Sequence, residues 1–259
     1  CQLKETTIAR LFYNEIGYAL VQLYSSIIGL IDELSVEYVE ESELAEKESD
    51  GRLISVGIVW SNCDDLVKLL HLGELGILTS KIVESTTLIE DGFEDFVEWA
   101  ENPEEFDEDD PFGLELSDSE DEDDEEIPKN EVNPPPEEDE DVAGKKEELI
   151  KFSKKWVKQI ELIKLLISSF KKSLPKTTTS ASIDDIYTVQ RTLVGLIDKF
   201  IADLMMDQVI DEEIEQYTKA ITTQGMKLSK IARNCHKSND KKAKWYEAWE
   251  KKYNDGLNV

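Results

Sequence analysis

Apolar residues recur at intervals of three and four along most of this 259-residue chain, and that spacing marks one face of an α-helix. The first stripe predicts a helix from about Glu5 to Glu43, and its members are Ile8, Leu11, Ile16, Leu20, Leu23, Ile27, Leu30 and Leu34. No stretch alternates apolar and polar residues as a half-buried strand does. The sequence therefore predicts an all-α protein built of antiparallel helical bundles.

Similar stripes lie on both sides of a central acidic tract. A second helix is predicted from about Arg52 to Leu72, and a third follows it and ends before Pro103. Beyond the tract, one helix ends at Pro175, and Ser182 is predicted to be the N-cap of the next. Another stripe and the short amphipathic segment KKAKWYEAWEKKY complete the helical pattern.

The acidic tract concentrates most of the charge of the chain. The whole sequence carries a formal net charge of −29, and Glu101 to Val142 alone contains 22 acidic residues and one lysine. Such a segment cannot bury enough apolar surface to offset the entropy of ordering it. We predict an N-terminal helical region (1–103), a disordered acidic linker (104–144) and a C-terminal helical region (145–259).

Charge and composition also disfavour some partners. A strongly negative chain is repelled by nucleic acid phosphates and by anionic lipid. The longest uncharged run, Ile16 to Ile31, has 16 residues, and a membrane span needs about 20. Ten lysines lie between Lys145 and Lys176, and they allow either a nucleic-acid or acidic-partner face or a solvated bundle face. The low arginine content favours the solvated face.

The sequence offers little for catalysis. His71 is predicted to be structural, and His236 does not face the adjacent Cys235, since neighbours on a helix point about 100° apart. No phosphate-binding loop, nucleophile elbow or metal-ligand spacing occurs. We predict that the protein is not an enzyme, has no catalytic residue and binds no cofactor or metal.

The tryptophans are predicted to be core residues. Trp60, Trp99 and Trp156 lie on or near apolar stripes. Trp245 and Trp249 are four residues apart and would share one helix face, which is typical of a helix docked on a bundle.

Four stretches together resemble the cyclin-D-binding protein family. They are VWSNCDDLVKL, KIVESTTLIEDGFEDFVEWAENP, DPFGLELSDSEDEDDEE and SIDDIYTVQRTLVGLIDKFIADL. The last is similar to the family's S-[VI]-D-D-[LI] opening of a C-terminal helix pair. The resemblance covers roughly Leu3 to Arg233, and it is specific as a combination.

This resemblance implies an all-helical, non-enzymatic protein of the cytoplasm and nucleus. Its partners would be cyclin-like or helix-loop-helix proteins, bound to restrain cell-cycle entry or transcription. The segment CQLKETTIARLF would match the family after its first helices, so part of the N-terminal region is expected to be missing. A chain that starts there is expected to expose part of its first stripe and to self-associate more than an extended one.

Two functions remain open from the sequence. The first is a protein-interaction module in which the helices bind a partner helix. The alternative is an acidic, chaperone-like protein that captures basic clients such as histones through residues 104–142. Deletion of residues 104–142 would separate them, because binding survives only in the first case.

Ser117 and Ser119 are the candidate modification sites. Each has a glutamate three residues further on, Glu120 and Glu122, within an acidic surround. Acidophilic kinases of the casein kinase 2 type recognise that arrangement. Phosphorylation would add about −1.5 to −2 charges per site, and we expect it to alter partner binding in a salt-sensitive way.

Overall fold

In a computed structural model of the protein, the described residues are 8–39, 49–101, 103, 140–237 and 240–258. They form the helices α1 (Arg10–Val39), α2 (Ser49–Glu101), α3 (Glu140–Ser173), α4 (Ser180–Asp207), α5 (Glu212–Asn234) and α6 (Lys241–Leu257). Within these ranges there is no strand. The all-α prediction is confirmed.

Helix α2 is interrupted where the sequence predicts a break between two helices. Gly73 has φ 66° and ψ −175°, a backbone conformation that side-chain-bearing residues rarely adopt. The break divides α2 into a first arm, residues 49–72, and a second arm, residues 74–101. The second arm ends before Pro103, as predicted.

One hydrophobic core joins the two helical halves. It contains the start of α1, the second arm of α2 and the apolar faces of α3 to α6. Aromatic side chains make the junction: the Phe200 ring of α4 lies 6.0 Å from Phe96 of α2 and 5.2 Å from Trp156 of α3. The predicted burial of Trp99 and Trp156 is confirmed.

The start of α4 differs from the prediction by one helical turn. Thr179, not Ser182, is the N-cap: its backbone is extended and its hydroxyl accepts a hydrogen bond from the Ser182 amide. The helix begins at Ser180. The prediction of Ser182 is wrong because Thr179 is also a good N-cap residue and lies nearer to the turn that follows Pro175.

Helix α6 docks on α3 through its aromatic residues. The indole N–H of Trp249 donates to the Leu162 carbonyl at 2.7 Å, and the Tyr246 hydroxyl lies 2.6 Å from the Ser173 hydroxyl. Trp249 is buried, whereas Trp245 on the same helix is 36% exposed. The predicted docking of this segment is confirmed for Trp249.

Candidate interaction surfaces

Among the described residues, helix α1 contacts the core through its first turns. Leu11, Phe12 and Ile16 are buried there. From Leu20 onwards α1 pairs with the first arm of α2 in an antiparallel hairpin. The Ser55 hydroxyl donates to the Glu33 carboxylate at 2.6 Å, and the Asn62 amide donates to the Gln22 carbonyl at 3.4 Å.

This distal hairpin, residues 20–35 of α1 and 54–72 of α2, exposes large apolar side chains. Trp60 is 67% exposed and Tyr24 is 66% exposed, so the predicted burial of Trp60 is wrong. Trp60 does lie on an apolar stripe, but among the described residues no element covers that stripe. A contiguous exposed apolar surface of this kind is a candidate interaction site.

The exposed residues follow a coiled-coil spacing on both helices. We define the seam face as Leu20, Tyr24, Ile27, Ile31 and Leu34 of α1 and Val56, Trp60, Cys63, Val67 and Leu70 of α2. In each set the intervals are four, three, four and three, the repeat of residues that pack into a neighbouring helix. Cys63 is half-buried and the other nine are exposed.

Both stripes lie on the same side of the hairpin. The less exposed residues Leu23 and Leu30 of α1 and Val59 and Leu66 of α2 mark the contact between the two helices. Successive residues of a helix are rotated by about 100° around its axis. On each helix, the exposed stripe is therefore rotated by about 60° from the residues that contact the other helix. The direction of rotation, viewed along the chain, is the same on both helices. Because the helices are antiparallel, equal rotations place the two stripes side by side. The hairpin therefore offers a two-helix groove.

The seam face is nearly free of charge. In α1 no charged residue occurs between Glu15 and Asp32, and in α2 none occurs between Arg52 and Asp64. Exposure of such a surface to water is unfavourable. Burial against the apolar face of another helix would be favourable.

Two carboxylates hold the start of α1 against the core. The Asp184 oxygens accept hydrogen bonds from the amides of Arg10 and Leu11 at 2.7 and 2.9 Å. Glu74 accepts from the Ala9 amide at 2.8 Å and from the Ser180 hydroxyl. Negative side chains that satisfy the first amides of a helix also favour its dipole. Asp184 belongs to the SIDDI motif, which thus fixes the direction of the hairpin.

We expect Asp184→Ala to lower the free energy of unfolding by about 0.5–2 kcal/mol, the usual contribution of a helix cap. Chemical denaturation measures this loss. Asp185→Ala is the matched control, since Asp185 is exposed and adjacent. Equal effects of the two substitutions would contradict the capping role.

Among the described residues, His71 and Cys235 make local contacts within their own helices. His71 is exposed on α2, and its Nδ1 lies 2.9 Å from the Val67 carbonyl. The Cys235 thiol donates to the Ile231 carbonyl, and burial raises its pKa. Within the described ranges, no group of three His, Cys, Asp or Glu residues could hold a metal ion. Ser117 and Ser119 lie outside the described residues.

The His236 ring is also largely buried, which the sequence analysis did not predict. Its side chain is 2% exposed, it stacks on Tyr246, and its Nδ1 lies 3.6 Å from the Asp240 carboxylate. Burial lowers the pKa of His236, and the nearby Asp240 only partly opposes this. The folded protein therefore holds the neutral ring.

A pH dependence follows from the lowered pKa of His236. In the unfolded chain His236 takes up a proton near the ordinary pKa of about 6.5. The stabilising contribution of the neutral His236 ring to the free energy of unfolding is therefore fully present above that pH. It is lost as the pH falls towards the lower pKa of the folded state. Between about pH 7.5 and 5.5, we expect the free energy of unfolding to fall less for His236→Phe than for the wild type. Chemical denaturation at each pH measures this difference. His71→Phe, an exposed control, should follow the wild type.

None of the described helices is both long enough and apolar enough to cross a bilayer.

Comparison with known proteins finds a family match for the half of the chain that contains the hairpin. Residues 1–102 match the family model described as Grap2 and cyclin-D-interacting, N-terminal. The resemblance seen in the sequence is confirmed. The matched residues include the seam face and both arms of α2, so the cyclin-D-interacting family model covers the proposed interaction surface.

One curated relative extends the similarity across the acidic tract. The chain is 26% identical to the uncharacterized protein YLR287C of Saccharomyces cerevisiae over an alignment of 252 residues, and the match covers 94% of this chain and 68% of the yeast protein. No solved structure matches significantly. The matched family is described by an interaction and not by a reaction.

Proposed function

We propose that the protein is a non-enzymatic interaction module whose seam face binds an amphipathic helix of a regulatory protein. The observation that carries this proposal is the uncharged groove between two stripes of coiled-coil spacing. A partner helix with apolar residues at the same spacing would bury both stripes and complete a three-helix bundle.

The family match suggests which regulators to test first. Because the family is described as cyclin-D-interacting, we infer a cyclin-like partner, with a helix-loop-helix protein as the second candidate of the same kind. Binding of such regulators would place the protein in the control of cell-cycle progression or transcription, in the cytoplasm and nucleus. A fluorescent fusion at native expression tests the two compartments.

Affinity purification with matched variants tests the interaction. The tagged chain is compared with Tyr24→Glu/Trp60→Glu, which places two charges on the seam face. The control is Leu88→Glu/Met206→Glu, two exposed apolar residues outside the hairpin. Copurified proteins are identified and their binding is then measured with purified components. We expect the seam variant to bind at least about tenfold more weakly, since a buried unpaired charge is strongly unfavourable, and the control to bind normally.

A third variant separates this function from capture of basic clients. Residues 104–142 are replaced by a neutral linker of equal length, so that the helical halves stay connected. Binding should survive this replacement. Loss of binding here, together with normal binding by the seam variant, would replace the proposal with the acidic, chaperone-like function.

We also propose that an acidophilic kinase modifies Ser117 and Ser119, which lie in the acidic tract. Mass spectrometry of the protein from growing cells should find phosphate on both. A Ser117→Ala/Ser119→Ala variant should bind the partner with a different affinity at low salt and unchanged helix content, because the added charges act over a Debye length of about 8 Å. If both serines are unmodified under all growth conditions, the proposed phosphorylation is wrong. If the Ser→Ala double variant binds with unchanged affinity at low salt, the proposed effect on partner binding is wrong.

A further inference from the structure

A second surface, on the opposite half of the chain, combines an apolar floor with a rim of lysines. Helices α3, α5 and α6 enclose a groove of about 790 Å³. Its floor is formed by Phe152, Leu162 and Ile210, which are half-buried, and by Gly256 near the end of α6. We call this the lysine groove.

The rim of the lysine groove is positive although the chain is strongly negative. Five lysines line it, and they are Lys151, Lys154, Lys155, Lys158 and Lys252. Two carboxylates, Glu148 and Glu215, also line it. Glu215 is paired with Lys219 at 3.0 Å, and Lys151 of the rim is paired with Glu147 at 2.7 Å, so both charges are partly offset. The local excess of positive charge favours an anionic occupant.

A buried amide in the groove has an unused acceptor. Gln159 lines the groove and is 1% exposed, and its Oε1 has no hydrogen-bond partner among the described residues. The other end of the amide packs against Gly256, where an added Cβ would lie 2.3 Å from the Gln159 Nε2. An unpaired buried oxygen is unfavourable unless a donor reaches it. A peptide N–H is such a donor.

We propose that the lysine groove binds an acidic peptide segment of a partner protein. Carboxylates of the segment would pair with the lysine rim, and an apolar side chain would contact Phe152 and Leu162. The Gln159 side chain would turn its buried Oε1 towards the groove to accept a hydrogen bond from a backbone amide of the segment. An apolar floor selects a peptide over a bare anion, and flexible lysine ammonium groups suit carboxylates without fixed geometry. This site is separate from the seam face and does not depend on it.

The test uses the full chain and two synthetic peptides. The probe alternates Glu with Leu and Phe, and its control carries Gln in place of every Glu. Binding is measured by fluorescence anisotropy at low and physiological salt. We expect the acidic peptide to bind and the amide peptide to bind at least about tenfold more weakly, with the difference shrinking as salt screens the charges.

Two variants locate the probe in the groove. Lys154→Glu/Lys158→Glu should weaken binding at least about tenfold, since charge-assisted contacts are replaced by repulsion. Lys230→Glu/Lys244→Glu makes the same change of net charge outside the groove and should leave binding nearly unchanged. Gln159→Leu keeps the charge and should weaken binding while the protein stays folded, which circular dichroism checks. Equal effects of the two lysine pairs, or no effect of Gln159→Leu, would overturn the proposal.

A further variant tests whether the groove is occupied by the acidic tract of the same chain instead of by a partner segment. Every Asp and Glu in residues 104–139 is replaced by Asn or Gln. We expect the peptide to bind the unmodified chain and to bind this variant at least as tightly. Binding only to the variant would show that the groove is not open to a partner, and it would overturn the proposal, as would no binding to either.

Discussion

Ile163→Ala is expected to lower the free energy of unfolding by about 2–5 kcal/mol, the range for deletion of a buried aliphatic side chain. Ile163 is fully buried on α3, and its side chain lies 4.0 Å from the position of a Cβ added to Gly225 on α5. The truncated site would leave a cavity between two helices that close packing keeps rigid. Ile160 and Ile197, which are equally buried, should behave in the same way.

Leu165→Ala is the matched control for this loss. Leu165 lies two residues along the same helix and is 53% exposed. Both substitutions make the same kind of change in helix propensity, so their difference isolates the core contribution. The control should change the free energy of unfolding by less than about 0.5 kcal/mol. Urea denaturation measures both, and a loss below about 1 kcal/mol for Ile163→Ala would contradict the burial of this stripe.

The helices could be predicted because each stripe repeats over several turns. The spacing that includes Ile160 and Ile163 allows only one local structure, and the breaks at Gly73 and Pro175 follow from backbone chemistry. The position of the Thr179 cap was missed by one turn, since several cap residues follow one another there. Local preference alone does not choose among them.

What covers a stripe could not be predicted from its spacing. Trp60 and Trp156 both lie on apolar stripes, yet Trp156 is buried and Trp60 is exposed. Their local patterns are similar, and the difference comes from helices that are distant in sequence. Exposure of part of the first stripe was expected from the family resemblance, but the exposed stripe from Val56 to Leu70 was not predicted, and neither was the groove that the two stripes form together.

The role of Asp184 shows a similar limit. The SIDDI motif was noted as part of a family resemblance, but its partners lie more than 170 residues earlier, at the start of α1. A carboxylate near a helix start is normally expected to cap its own helix. Only the packing of α1 beside α4 reveals that Asp184 caps another.

Gln190→Met is expected to raise the free energy of unfolding by about 1–3 kcal/mol, the unfavourable contribution of a buried polar group without partners. Gln190 lies on the inner face of α4 and is 1% exposed. Within the described part of the chain, neither its Nε2 nor its Oε1 has a hydrogen-bond partner. Met has a similar length and volume, so it can fill the same space without polar atoms.

The control for this gain is Gln216→Met, an exposed position on α5, which should change stability by less than about 0.5 kcal/mol. Thermal and urea denaturation of both variants give the comparison. If Gln190→Met instead lowers the free energy of unfolding by more than about 1 kcal/mol, a bound water or a residue outside the described ranges makes hydrogen bonds to the Gln190 amide. A gain would mean that the core keeps a polar group that lowers its stability. Gln190 would then be the first position to replace when a more stable form is needed to search for partners.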